Sequence, residues 1–341
     1  MNISGPGPAI PGGAFAGAEQ GSAKFPAHPT IHVACGVLVN VAGEVLLAQR
    51  PEGKIAAGYW EFPGGKIEAG ESALQALSRE LHEELGVTVL EASPLIRFRH
   101  DYSNRTVVLD TWCVTAFDGV PRSCEGQALR WLAVPRFAEV APLLPTVVPI
   151  EQALRQPVHY VFTPPSAAAA VLLAGLAELP SRAWLRLRLP TLDDAQYEAV
   201  ARQLLPVAQA RGIQLLLDRD PAQVLTLGAA GWHGSSAALM QLAQRPAVPL
   251  AVASVHDAAQ LAQASALGFD AAVLGPVLPT TTHAGAATLG WQGFAAIRGE
   301  VALPVFAIGG LDAAQLADAR AANAQGLAGI SAYWRGGSSG R

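Results

Sequence analysis

The chain has 341 residues, 51% of them hydrophobic and only 15% charged, a length that accommodates two domains whose cores need no disulfides or structural metal and a composition that excludes an intrinsically disordered protein. With 23 basic against 27 acidic residues the formal net charge is −4. That balance lacks the electrostatic footprint of a dedicated nucleic-acid binder, so no stable nucleic-acid partner is expected and any phosphate must be met locally.

Cys35, Cys113 and Cys124 are odd in number and form no Cys-x-x-Cys pair, which argues against a disulfide framework or a zinc site and fits a reducing cytoplasm. The longest apolar stretch, from Ala167 to Ala177, falls short of the roughly 20 residues that span a bilayer. The first residues lack the positive start and apolar segment of an export signal. A cytoplasmic protein without a membrane partner is expected; the oligomeric state stays open.

Residues 1–28 are rich in Gly, Pro and Ala without a hydrophobic period, and read as a disordered tail. Strand-like runs follow at Ile31–Val39 and Glu44–Gln49, separated by the turn Asn40-Val41-Ala42-Gly43. A hairpin is predicted over Leu95–His100 and Thr106–Val114 around Ser103-Asn104. Between these runs lies one helix, Glu71–Leu85, whose Leu74, Leu77, Leu81 and Leu85 form a core-facing stripe. Beyond Arg155 the rhythm changes. Eight short apolar runs, His159–Thr163, Trp184–Leu189, Ile213–Leu217, Gly231–His233, Leu250–Ser254, Ala271–Leu274, Pro304–Ile308 and Gly326–Ser331, alternate with seven Ala-rich helical stretches. This alternation predicts a (β/α) barrel, with an open doubly wound sheet as the alternative. Pro157, Pro164 and Pro165 punctuate the junction, giving domains at 29–156 and 157–341.

The predicted helix carries Arg79-Glu80-Leu81-His82-Glu83-Glu84-Leu85-Gly86-Val87. At i, i+3 and i+4, Glu80, Glu83 and Glu84 lie along one edge and repel one another. A divalent cation relieves that repulsion, and hard oxygen donors favour Mg²⁺ or Mn²⁺. The trio alone would read as a solvated face. It does not stand alone: Gly65, Glu71, Arg79, Glu80, Leu81, Glu83, Glu84, Gly86 and Val87 satisfy every position of the Nudix box.

Over roughly residues 30 to 150 the chain resembles the Nudix hydrolases, and Tyr59-Trp60-Glu61-Phe62-Pro63-Gly64-Gly65-Lys66 is similar to the approach to the box in the MutT branch. The resemblance implies a Nudix α/β/α sandwich and Mg²⁺-dependent hydrolysis of nucleoside triphosphates such as 8-oxo-dGTP to monophosphate and pyrophosphate, a nucleotide-pool cleansing role in DNA replication and repair. It further implies that the Gly64 carbonyl, Glu80, Glu83, Glu84 and Glu125 hold metal and that Arg50, Glu61, Phe62, Pro63 and Gly64 line the nucleotide pocket. Either Glu80 or Glu125 would take the proton from the attacking water, while Arg79 orients carboxylates. Where the branch reads the base with an Asn, Pro145-Thr146-Val147-Val148-Pro149 places Val147, which cannot hydrogen-bond; Thr146 is the nearest substitute.

The second half resembles the thiamine-phosphate synthase and thiazole tautomerase family through Ser254-Val255-His256-Asp257, Gly275-Pro276-Val277-Leu278-Pro279-Thr280-Thr281-Thr282-His283 and Ala307-Ile308-Gly309-Gly310. This implies a TIM-type (β/α)8 barrel and a phosphorylated ligand held by Thr280, Thr282, Gly309, Gly310 and Ser331. The synthase pattern of a Gln-Leu-Arg-x-Lys strand end, an Asp and a Lys that hold pyrophosphate and Mg²⁺ is broken. Here stand Arg186-Leu187-Arg188-Leu189-Pro190, Ala238 and His283, and no lysine follows Lys66. Asp218 survives without its apparent partner. A degenerate or ligand-sensing barrel is expected; the alternative is a bifunctional enzyme of thiamine metabolism, with thiamine-phosphate synthesis or hydrolysis of thiamine-like pyrophosphates. His233, His256 and His283 are candidates for the barrel mouth, or else structural or surface histidines.

Overall fold

The structure, a computed structural model, describes residues 28–280 and 287–334. The expected tail, apart from His28, and Thr282 and His283 lie outside the described residues.

Strand β1 (Thr30–Leu38) runs parallel to β6 (Arg105–Asp118) and antiparallel to β4 (Gly64–Lys66), while β5 (Thr88–Tyr102) pairs antiparallel with β6. The resulting order is β4-β1-β6-β5. A second sheet joins β3 (Trp60–Glu61), β2 (Val45–Gln49) and β7 (Ala128–Leu132). The hairpin turn sits where Ser103-Asn104 predicts it, but both strands are far longer than predicted. Beyond the predicted bounds, charged residues such as Glu91, Asp101 and Asp118 interrupt the apolar runs without ending the ladder.

Helix α1 (Ala73–Leu85) starts two residues later than predicted, because Ser72 caps it in a reciprocal box with Gln75; Gly86, left-handed at φ 68°, closes it. Ala76, Leu77, Leu81 and Leu85 are buried against β1. Leu74 is a correction to the predicted stripe: it is 40% exposed, and Ala76 takes its place on the buried face. Unpredicted is α2 (Val147–Arg155), which packs Val147, Ile150 and Ala153 into the second core of the domain; Pro149 hides it in the sequence, yet proline is tolerated in a first turn.

The remaining strands, β8 (His159–Phe162), β9 (Trp184–Leu187), β10 (Gln214–Leu217), β11 (Gly231–Gly234), β12 (Ala251–Val255), β13 (Ala271–Leu274), β14 (Val305–Ile308) and β15 (Gly326–Gly329), are all parallel and close into an eight-stranded barrel. The open sheet is thereby excluded. Seven helices among the described residues, α3 (Ala169–Gly175) to α9 (Leu316–Ala321), follow the strands in turn. Tyr160, Phe162, Trp184, Leu216, Val252 and Phe306 fill the interior, and Leu, Val and Ala side chains seal the strands against the helices. No helix among the described residues is long and apolar enough to cross a membrane.

The barrel docks on β5, the edge strand farthest from β4. The Arg97 N–H donates to Asn323 Oδ1 (2.8 Å), Asn323 Nδ2 donates to the Arg97 carbonyl (2.9 Å), and the Arg99 N–H donates to the Glu300 carbonyl (2.8 Å). Gln152 reaches the Asp270 carbonyl, and Gln325 the Ala153 carbonyl.

Candidate active site

The site forms where β4 passes the middle of α1. Gly64 has φ 143°, and a Cβ there would stand 2.2 Å from the Ala34 carbonyl; a Cβ on Gly65 would stand 2.2 Å from the Glu80 carboxylate. Only glycine lets this strand approach both neighbours. The Gly64 N–H donates to Glu84 Oε2 at 3.0 Å.

Glu84 is the most perturbed of the expected ligands. Burial, followed by repulsion from Glu125, Glu61 and Glu80, raises its carboxyl to about 7 against the opposing pull of the Gly64 amide. Arg79 faces the other carboxylates: Nε and Nη2 grip both Glu71 oxygens (2.8 and 2.9 Å), Nη1 donates to Glu80 (2.8 Å) and to Glu83 (3.4 Å), and Nη2 also meets the Lys66 carbonyl (3.0 Å). This grip lowers the Glu71 carboxyl to about 2. All three guanidinium nitrogens are engaged, as a positioning residue requires.

Glu125 comes to the site because its loop is lashed to the end of α1. The Arg122 and Cys124 N–H groups donate to the Leu85 and Glu84 carbonyls, and buried Gln127 donates to the Glu84 carbonyl (2.8 Å) while accepting from the Glu125 N–H (2.9 Å). The Glu125 carboxylate pairs with Lys54. Beside them Arg50 donates to Glu61 (2.6 Å), whose carboxyl burial pushes up. Phe62 is buried against Phe137, and the Pro63 carbonyl accepts from the Gly36 N–H.

The structure thus brings Glu61, Glu80 and Glu125 within electrostatic reach of Glu84 and turns Glu83 outward, its side chain 55% exposed and tied to Arg79. Among the described residues no three carboxylate, imidazole or thiol groups stand ready-made as a cation cage. The donor chemistry nevertheless fits Mg²⁺ or Mn²⁺: hard carboxylate oxygens whose mutual repulsion at the half-buried Glu84 a divalent cation would relieve. Val147 is 1% exposed, a core residue of α2, and Thr146 is 7% exposed, sharing a hydrogen bond with Tyr102. Lys54, Gln127 and Tyr102, with Arg105 over its ring at 4.9 Å, join the site although no sequence motif marks them.

In the barrel, Thr280, Gly309, Gly310 and Ser331 line one cavity of about 310 Å³ together with Arg188 and His256. His233 is not at the mouth: it is fully buried, its Nδ1 2.6 Å from the Tyr160 hydroxyl and its Nε2 2.8 Å from Ser254 Oγ.

Comparison with known proteins follows this division. The NUDIX domain model matches residues 34–149, and the thiamine monophosphate synthase model matches residues 160–333, about half of the chain. The chain is 42% identical over 116 residues to the CTP pyrophosphohydrolase of Escherichia coli, covering 34% of this chain and 85% of that protein. It is 41% identical over 102 residues to the 8-oxo-dGTP diphosphatase of Haemophilus influenzae (30% and 75% covered). In the second half it is 34% identical over 170 residues to the thiamine-phosphate synthase of Herpetosiphon aurantiacus (49% and 80% covered). The chain therefore belongs to two families at once: it is a Nudix hydrolase in its first part and a member of the thiamine monophosphate synthase family in its second.

Proposed function

We propose that the first domain, residues 29–156, hydrolyses nucleoside triphosphates to the monophosphate and pyrophosphate in a Mg²⁺-dependent reaction, with oxidised purine nucleotides such as 8-oxo-dGTP as substrates and nucleotide-pool cleansing as the role. The observation that carries this reading is Glu84, a half-buried carboxylate that accepts from the Gly64 N–H at 3.0 Å and lies within electrostatic reach of Glu61, Glu80 and Glu125. Glu80, Glu83, Glu84, Glu125 and the Gly64 carbonyl would hold the cation, which when bound neutralises phosphate charge and activates water. Arg79 positions Glu80 and Glu83. Glu80 or Glu125 receives the proton of the attacking water. Arg50 and the Glu61–Gly64 segment bound the nucleotide pocket, with Tyr102 offering a ring to the base. Support for the substrate comes from the diphosphatase relatives; the CTP pyrophosphohydrolase relative supports a pyrimidine nucleotide as the second reading.

The test is a turnover panel of 8-oxo-dGTP, CTP, ordinary dNTPs, ADP-ribose and thiamine pyrophosphate with Mg²⁺, run beside Glu84→Gln and an EDTA control. Glutamine keeps the acceptor for the Gly64 N–H, so folding survives while turnover falls at least about 100-fold. Full activity in that variant or in EDTA sinks the assignment. For residues 157–341 we propose binding of a phosphorylated ligand without thiamine-phosphate synthesis; formation of thiamine phosphate from its two precursors would overturn this.

A further inference from the structure

The synthase pattern holds its divalent ion partly with aspartate, and Asp218 is the aspartate that survives here. Its carboxylate is already occupied. Arg186 donates to Oδ2 through Nε (3.2 Å) and Nη2 (3.0 Å), and the Tyr197 hydroxyl lies 3.2 Å from Oδ1. The pair is shielded, with side chains 11% and 12% exposed, so it is a fixed part of the barrel and not a mobile surface contact. Ala238 offers no donor at the other expected position. The residues present do not fit a divalent ion.

They do fit an anion. Arg186 lines the cavity whereas Asp218 does not, so the guanidinium borders the cavity and the carboxylate supports it from behind. Phe162 packs against the guanidinium, its ring centroid 4.9 Å from the Arg186 Cζ, leaving the charge little freedom to move. Arg188, one strand-repeat further on, lines the same cavity, and among the described residues its guanidinium has no ion-pair or hydrogen-bond partner. Across the opening, Gly309 and Gly310 take φ 106° and 66° and press so closely on Pro276 and Pro279 that a Cβ at either would collide at 2.7 or 2.4 Å. Their backbone is thereby held at the cavity wall. The wall also carries Phe162, Val273 and Ile308, a setting for an apolar or aromatic body behind an anionic head.

We propose that the barrel cavity binds a phosphorylated small molecule without any divalent cation, the Arg186 guanidinium serving as a built-in positive charge held by Asp218 and Arg188 supplying the free one. Planar guanidinium groups match phosphate oxygens geometrically and keep their charge at all working pH values. This inference rests on the reading of the barrel as a phosphate-ligand unit and adds the absence of a metal requirement.

The experiment is calorimetric titration of the full-length protein with inorganic pyrophosphate in EDTA and again with Mg²⁺, for wild type, Arg188→Ala and Asp218→Asn. Wild type is expected to bind in EDTA, with Arg188→Ala at least tenfold weaker; since the Arg188 guanidinium holds nothing else in place, that variant folds. Asp218→Asn leaves Arg186 without its neutralising partner and is expected to bind severalfold more tightly in EDTA. An aspartate serving as metal ligand gives the opposite sign in the Mg²⁺ titration, where Asp218→Asn would then bind more weakly than wild type. Binding that is sensitive to Arg188→Ala but appears only with Mg²⁺ overturns the inference and leaves the phosphate-ligand reading intact. No Arg188-sensitive binding in either buffer overturns both.

Discussion

At the scale of single residues the first site is governed by how unfavourable charges are shared. Three like charges on one turn of α1 are tolerated because Arg79 takes Glu71, Glu80 and Glu83 while Glu84 turns inward to the Gly64 amide. Arg79→Lys removes the fork that engages these carboxylates simultaneously, since an ammonium is a point charge that cannot reproduce it. The expected outcome is a fall in kcat of roughly 10- to 100-fold with KM little changed, the size seen when ligand-orienting partners are lost. Steady-state kinetics check it; a change confined to KM would instead put Arg79 in contact with substrate. Gly64, Gly65, Glu71, Arg79, Glu80, Glu83 and Glu84 are legible in the sequence because they fall within one short window. Lys54, Gln127 and Tyr102 are not, because each reaches the site through a loop or hairpin whose path depends on tertiary packing.

At the scale of elements, the barrel strands were readable because a buried parallel strand is a short apolar run, and eight of them recur with Ala-rich helices between. The lengths of β5 and β6 and the existence of α2 were not, since charged residues on a half-exposed ladder and a proline in a first turn both break the pattern without breaking the element. The same barrel holds a titratable group whose effect is predictable. On β11, His233 is buried between Tyr160 and Ser254, and desolvation, aided by nearby Arg186, pushes its pKa well below the usual 6.5. Below pH 6.5 the unfolded chain takes up a proton that the folded barrel refuses, so stability from this group is present above pH 6.5 and declines as the pH falls further. Glu84 acts in the reverse sense, because its raised folded pKa makes protonation favour the folded state. Thermal melting of wild type and His233→Gln at pH 7.5 and 5.5 separates them: the variant is expected to lose less stability over that interval. An equal or greater loss contradicts the assignment.

At the scale of the whole molecule, the sheet order β4-β1-β6-β5 puts β4, with Gly64 and Gly65, at one edge and the docking strand at the other. An uncovered edge strand invites pairing with other chains; here the barrel covers β5 by supplying partners to the Arg97 and Arg99 backbone. Asn323 is the central contact. It sits at φ 65°, a left-handed conformation that asparagine tolerates better than most residues, and from there its amide both accepts from and donates to the Arg97 peptide. None of this was visible in the sequence, where residues 97 and 323 are unrelated. Asn323→Gly keeps the backbone conformation at no steric cost and removes three side-chain hydrogen bonds, the two to Arg97 and a longer one (3.4 Å) to the Gly299 carbonyl, a loss of about 1.5–4.5 kcal/mol at roughly 0.5–1.5 kcal/mol each. Because the loss falls on the interface, the two domains should uncouple: scanning calorimetry is expected to show a lower first transition and a wider separation between the melting of the two parts. The hydrolase site lies across the sheet from the change, so kcat and KM at 25 °C should stay at wild-type values. A variant that melts as wild type shows that the domains are held by their other contacts, and one that loses hydrolysis at 25 °C shows that the barrel supports the distant site as well as the edge it covers.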